Sequence, residues 1–173
     1  MKKMKKTLAL ALALVCLNLY SQTKDDALRD AKITSKATLN MDFETVLKHT
    51  LPAIIDMMGG EEAGLSMLKS TFDGMKAQGF VFEKADIKGV SEIVEEQGQY
   101  RCIIEGFNQM TMSGQRIKSK SYLLGIYNDK ENHWWFVEAK LVKNQAMIDQ
   151  ILPEFKTSLD IPEDDMQTEP IED

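Results

Sequence analysis

The spacing of apolar residues changes near the middle of the chain, and this change restricts the possible folds. Over residues 43–58 apolar side chains recur every three or four positions, which places them on one face of a helix. Pro52 lies inside this stripe and lacks a backbone N–H, so it predicts a kink or a restart. Two further helices are predicted on either side, over about 23–39 and 61–79.

After residue 80 the pattern becomes typical of strands. Five segments are rich in β-branched and aromatic residues: FVFEKADIKG, SEIVEE, QYRCIIEGFNQMTM, RIKSKSYLLGIYN and HWWFVEAKLV. Three pairs of turn-forming residues divide them: Gln97 and Gly98, Ser113 and Gly114, and Asn128 and Asp129. Short turns between long segments favour antiparallel pairing, because parallel strands need long crossover connections.

Helices followed by antiparallel strands define the α+β class. We expect one domain over residues 22–158, with the N-terminal helices packed on one face of a curved sheet. A short C-terminal helix is predicted over 144–152, because Pro153 disfavours its continuation.

The first 21 residues have the organisation of a signal peptide. Four lysines precede an apolar run over 8–17, which at about ten residues is too short to span a bilayer. Ser21 is a small residue suited to the cleavage site. Cys16 raises a lipoprotein alternative, but Leu14 and Val15 are larger than the residues that lipidation favours. The sequence therefore predicts export to the periplasm or the cell exterior, with no transmembrane segment in the mature chain.

The charge of the mature chain argues against nucleic acid as a partner. Removal of residues 1–21 takes away four lysines and changes the net charge from −6 to −10, and an acidic surface repels phosphates. Cys102 is then the single cysteine, which excludes an intramolecular disulfide. Residues 159–173 contain seven acidic residues, no basic ones and two prolines, a composition that predicts a disordered tail.

The adjacent tryptophans in HWWFVEAKLV point to opposite faces if this segment is a strand. Trp135 shares its face with Val137 and further apolar residues, so this face is predicted as the core and Trp134 faces outward. Apolar residues on the outer face of two strands suggest a homodimer. The predicted interface contains four residues: Trp134, Phe136, Ile103 and Phe107. The alternatives are exposure of single aromatic residues, or cover by the C-terminal segment.

Two stretches resemble a known superfamily. The run LNMDFETVLKHTLPAIIDMMGG and the closing KSYLLGIYNDKENHWWFVEAK resemble the nuclear-transport-factor-like (cystatin-like α+β) superfamily, over about residues 24–155. The chain also resembles uncharacterised exported bacterial proteins of that shape. The resemblance implies a cone, in which helices and a strongly curved sheet enclose a pocket. Members include isomerases, dehydratases, polyketide cyclases and non-catalytic binding or dimerisation domains, so the fold alone does not decide the function.

The implied pocket has an apolar lining, which suits a hydrophobic small molecule. Its expected lining contains seven residues: Phe43, Leu47, Leu51, Tyr100, Cys102, Trp135 and Val137. The alternative is that these side chains fill the cone and leave no space for a ligand.

An isomerase of this shape needs a carboxylate base and a neutral donor in the cone. Four acids are candidates: Asp42, Asp56, Glu105 and Glu138. Three tyrosines are candidate donors: Tyr100, Tyr122 and Tyr127. None of the acids lies clearly on the core-facing positions, and solvated surface carboxylates are the more common case.

The two histidines and Cys102 do not indicate a metal site or a catalytic nucleophile. His49 and His133 have no recognisable zinc spacing, and Cys102 falls on a core position, where a thiol is inert. We therefore predict no catalytic residue, no metal site and no cofactor. The sequence favours a non-enzymatic binding or self-association domain, with a small-molecule isomerase or lyase as the alternative.

Overall fold

The computed structural model describes residues 23–171 of the chain, so the predicted signal peptide lies outside the described residues. The described part contains five α-helices: α1 (Lys24–Asn40), α2 (Phe43–Lys48), α3 (Pro52–Met57), α4 (Glu61–Ala77) and α5 (Gln145–Ile151). A 3₁₀ helix, Ala139–Lys143, precedes α5. The strands are β1 (Val81–Val90), β2 (Val94–Glu96), β3 (Gln99–Met112), β4 (Gln115–Asn128), β5 (His133–Glu138) and β6 (Asp165–Pro170).

Local sequence determines where the helices begin and end. Thr23 and Asp26 form a capping box at the start of α1, in which each side chain accepts a hydrogen bond from the other's backbone N–H. Pro52 is the first residue of α3, where its missing N–H costs nothing, so the predicted restart is confirmed. Gly59 and Gly60 follow with φ of 90° and 97°, in the left-handed region that glycine adopts without strain.

The six strands form one antiparallel sheet around β3 and β4. β3 pairs with β1 and β2 on one side and with β4 on the other. The outer edge of β4 is shared, because its first half pairs with β6 and its second half with β5. The predicted α+β class is confirmed, together with the curved antiparallel sheet and the short helix near the C-terminus.

Both faces of the sheet are covered by the chain itself. α1 packs on the face that carries Cys102 and Ile104. Helix α5 packs on the opposite face, which carries Leu124 and Ile126, as do residues from the start of α3 and from the C-terminal segment. Helices α1 and α5 thus lie on opposite faces of the sheet. The alternative that the C-terminal segment covers the second face is the one observed.

The orientation predicted for the two tryptophans is wrong. Trp134 is fully buried against α1, whereas Trp135 is half-buried on the opposite face. Alternation could not decide between them, because each face of β5 is covered by apolar side chains.

The residues of the predicted interface do not form one surface. Trp134 and Phe136 are buried under α1, and Ile103 is buried in the core of the other face. Phe107 is half-buried, with the Lys88 ammonium 5.3 Å from its ring centre. A homodimer through the outer sheet face would therefore need other contact residues.

The acidic tail is partly ordered, in contrast to the predicted disorder. Residues Asp165–Pro170 form β6, which pairs in register with Gln115 to Lys120 of β4. The composition of the tail suggested disorder because it cannot bury apolar surface. The edge of β4 supplies instead a backbone ladder and cations, including Lys118, whose ammonium lies 2.7 Å from the Glu169 carboxylate.

Candidate functional site

A groove runs between α1 and the sheet face beneath it, and we call it the α1 groove. It consists of two adjacent cavities of about 240 and 300 Å³. Four residues line both cavities, and they mark the junction: Thr34, Thr38, Leu123 and Glu138. Such a space has the size of a site for a small molecule.

One wall of the groove is a stripe of small, weakly polar residues on α1. Ala31, Thr34, Ser35 and Thr38 follow the i, i+3, i+4 spacing that places side chains on one helix face. The three hydroxyl groups donate to backbone carbonyls: Thr34 to Asp30 at 2.9 Å, Ser35 to Ala85 at 2.6 Å and Thr38 to Thr34 at 3.0 Å. Each hydroxyl hydrogen is used in one of these bonds. The helix therefore presents to the groove the threonine methyl groups and hydroxyl oxygens that can still accept a hydrogen bond.

The floor of the smaller cavity, on the side of the groove away from β5, also contains small residues. Gly106 and Asn108 of β3 and Ser121 of β4 line it, and the Asn108 amide donates to the Ser121 hydroxyl at 3.4 Å. Leu123 continues the floor toward the junction. Small side chains at these positions leave the space that larger ones would fill.

The opposite end of the groove contains His49. Its Nδ1 donates to the backbone carbonyl of Trp134 at 2.9 Å, which fixes the ring against β5. Burial lowers the pKa of the His49 imidazole below its usual value, so the ring is neutral at pH 7. Phe136 and Val46 supply the apolar surface around it.

The residues predicted to line one pocket are separated by the sheet. Tyr100 and Cys102 lie on the α1 side, whereas Leu51, Val137 and Trp135 belong to the core of the other side. Val137 also reaches the His49 end of the groove.

Phe43 and Leu47 have different surroundings again. The Phe43 ring packs against Phe72 of α4, with 4.9 Å between ring centres. Leu47 lines a cleft of about 450 Å³ that also exposes Trp135 and three glutamates. The predicted pocket therefore does not exist as one site.

The candidate acids are spread over the surface. Asp42 caps α2 and accepts from Thr45, and Glu105 pairs with Lys120 at 3.1 Å. Of the four acids, Glu138 alone is among the lining residues of the α1 groove, where Lys140 pairs with it. None of the three candidate tyrosines lines either cavity of the groove.

The residues that build this groove could have been found in part from the sequence. The stripe of Ala31, Thr34, Ser35 and Thr38 interrupts an otherwise charged helix, and such spacing is visible without a structure. The floor could not have been found, because it depends on which residues of β3 and β4 lie opposite one another.

Two further observations concern residues 23–171 as a whole. Within this range there is no group of three or more histidine, cysteine, aspartate or glutamate residues arranged to hold a metal ion. No helix in the same range has the length and apolar character needed to cross a membrane.

Comparison of the chain with family models, with curated proteins and with solved structures finds no match.

Proposed function

We propose that this protein is a non-enzymatic binding protein that holds an elongated, mostly apolar small molecule in the α1 groove. The observation that carries the proposal is the continuity of the two cavities beneath α1, which share Thr34, Thr38, Leu123 and Glu138. An apolar ligand would displace water from this space, and burial of apolar surface drives such association.

The polar groups of the groove favour a ligand that also carries a hydrogen-bond donor. The hydroxyl hydrogens of Thr34, Ser35 and Thr38 are bound to backbone carbonyls, which leaves their oxygens as acceptors. The Glu138 carboxylate adds a further acceptor at the junction. A hydroxyl or amine group on an apolar body satisfies this arrangement better than a carboxylate does.

A fluorescence titration tests the proposal. The neutral dye N-phenyl-1-naphthylamine has an apolar body and one N–H donor, and its emission rises on entry into an apolar site. The Thr34→Phe substitution fills the junction of the cavities, and we expect it to lower the affinity roughly tenfold or more, equivalent to about 1.4 kcal/mol.

The matched control is Thr71→Phe, which places the same side chain at an exposed position of α4. Circular dichroism establishes that both variants are folded. Equal dye affinity in the wild type and in Thr34→Phe would contradict binding in the groove. Native mass spectrometry of protein purified from its own host would then show directly whether a small molecule is retained, and of what mass.

The proposed place of action is outside the cytoplasm, in the periplasm or beyond the cell. The lysines and the apolar run of residues 1–21 support this part of the proposal. Mass determination of the N-terminus of the exported protein tests it, because cleavage after Ser21 makes Gln22 the first residue. A full-length chain recovered from the cytoplasm would contradict it.

A small-molecule isomerase or lyase is the second candidate. The observation in its favour is that Glu138 and the neutral His49 line the same cavity of the groove. In this case Glu138→Gln would abolish conversion of a bound ligand and leave its binding intact. A retained ligand whose structure is unchanged after long incubation with the wild-type protein would favour binding alone.

A further inference from the structure

β6 is held in the sheet without burying a side chain. All six residues, Asp165–Pro170, are exposed, and Met166 is 70% exposed. The strand is attached by its antiparallel ladder to β4, and just beyond it the Ile171 N–H donates to the Gly114 carbonyl at 3.0 Å. Backbone hydrogen bonds thus account for most of its attachment, and such bonds accept any strand of suitable length.

Opposite charges add selectivity to this attachment. Glu169 pairs with Lys118 of β4 at 2.7 Å, and Glu163 pairs with Lys143, the last residue of the 3₁₀ helix. Asp164 accepts from the backbone N–H of Tyr122 at 3.3 Å. Lysines of the domain therefore lie opposite carboxylates of the tail. Each such surface pair by itself adds little to the free energy of attachment.

A three-residue link joins β6 to the part of the tail that packs on the core, and polar contacts of Glu163 and Asp164 hold this link to the domain. Phe155 packs under the Arg101 guanidinium, 4.7 Å from its ring centre, and Ile161 packs against the core. Residues 162–164 join this anchored part to Asp165. A strand attached in this way can be exchanged between copies, because the same backbone ladder and the same charge pairs form with the strand of either copy.

We propose that the outer edge of β4 over residues 115–120 is a strand-acceptor site that binds the acidic tail strand of a second copy by exchange. The second copy is the occupant that fits, because its tail repeats the same register and the same carboxylates. The site lies on a strand edge and does not depend on the α1 groove having a ligand.

A labelled peptide of residues 162–171, PEDDMQTEPI, tests the acceptor site with a chain that ends at Ile161. We expect saturable binding by fluorescence anisotropy, weakened by added salt. Lys118→Glu replaces an attraction with a repulsion and should lower the affinity about threefold or more. The matched control, Lys69→Glu, changes the same charge at an exposed position of α4 and should leave the affinity unchanged.

Two outcomes of this titration would overturn the proposal. In the first, a peptide of the same composition in scrambled order binds as tightly as PEDDMQTEPI, which would mean that charge alone causes the binding. In the second, the native peptide does not bind the folded, shortened chain.

A disulfide lock tests exchange in the full chain, where folding of a shortened form is not at issue. Ser119 and Met166 are paired across β4 and β6, so Ser119→Cys with Met166→Cys, oxidised as a dilute monomer, should hold the tail in its own chain. We expect light scattering at high concentration to show dimers of the reduced protein and monomers of the oxidised protein. Equal dimer content in the two forms, or no dimer in the reduced form, would overturn exchange.

Discussion

The carboxylate of Asp30 in α1 accepts a hydrogen bond from the backbone N–H of Trp134 in β5, at 3.0 Å. His49 binds the carbonyl of the same residue, and the backbone of His49 and Leu51 then binds both polar groups of Phe136. The outer edge of β5 is therefore closed by two side chains and a short stretch of main chain. Closed edges of this kind prevent pairing with another sheet.

Removal of the Asp30 carboxylate should destabilise the protein. Asp30 is 3% exposed, so Asp30→Ala leaves the Trp134 N–H buried without an acceptor. The expected loss in free energy of unfolding is about 1–3 kcal/mol. Urea denaturation followed by circular dichroism measures it. Asp30→Asn keeps an acceptor and should lose less, and the exposed Asp73→Ala serves as a control.

Stability should depend on the protonation of His49. Its pKa is lowered in the folded state, chiefly by burial, although the bond to Trp134 and the nearby Asp30 act in the opposite direction. The unfolded chain therefore binds more protons below about pH 6.5. The contribution of neutral His49 is fully present above that pH and is lost as pH falls toward the lower folded-state pKa.

The comparison with His49→Gln isolates this effect, because glutamine can donate to the Trp134 carbonyl but does not titrate. Denaturation from pH 8 to pH 5 should show a steeper loss of stability in the wild type than in the variant. Other ionisable groups near the ring are Lys48 and His133, and both are present in each protein. Parallel curves would contradict the assignment to His49.

The different surroundings of the tryptophans should be visible in fluorescence. Trp134 is fully buried, and its indole N–H has no hydrogen-bond partner among the described residues. Trp135 borders the open cleft beside α2. Acrylamide should therefore quench Trp134→Phe, which retains Trp135, more strongly than Trp135→Phe. Equal quenching of the two variants would show that the orientation of β5 is different from that described.

These tryptophans also show what the sequence could and could not predict. Helix limits followed from local signals, as at Pro52, because capping and backbone geometry depend on neighbouring residues. The face on which each strand residue lies did not follow from local signals, because it depends on the register between strands. Cys102 lies across from Gly125, which pairs with Phe136, and a shift of one residue would have brought Cys102 opposite their neighbours instead. The predicted pocket combined Cys102 with Trp135 for this reason. The α1 groove depends on the same register, so it could not be predicted from the sequence of any single strand.

Cys102 should be unreactive in the folded protein. The side chain is fully buried, and burial raises the pKa of its thiol to about 12. Thiol reagents attack the thiolate, which is scarce and inaccessible under these conditions. We expect no labelling by iodoacetamide at pH 8 over times that label the urea-unfolded chain completely. Rapid labelling of the native protein would indicate that α1 opens from the sheet.

Substitution of Arg101 should detach the C-terminal segment from the sheet. The guanidinium is 3% exposed, donates to the carbonyl of Lys156 at 2.8 Å and to the side chain of Gln99, and stacks on Phe155. Arg101→Met removes these charge-assisted hydrogen bonds and the stacking on Phe155, and we expect a loss of about 2 kcal/mol or more. Arg101→Lys retains the charge but not the planar fork, so an intermediate loss is expected.

Hydrogen exchange distinguishes this detachment from general destabilisation. The backbone N–H groups of Lys156 and Ser158 donate to the side chains of Gln97 and Glu96, and they should exchange faster in Arg101→Met, whereas amides of α1 keep their protection. Arg116→Met is the matched control, because Arg116 is more exposed and pairs with Glu83 at a distance from this segment. If the amides of α1 and of residues 154–158 lose protection together, Arg101 stabilises the whole domain and does not act as a local anchor.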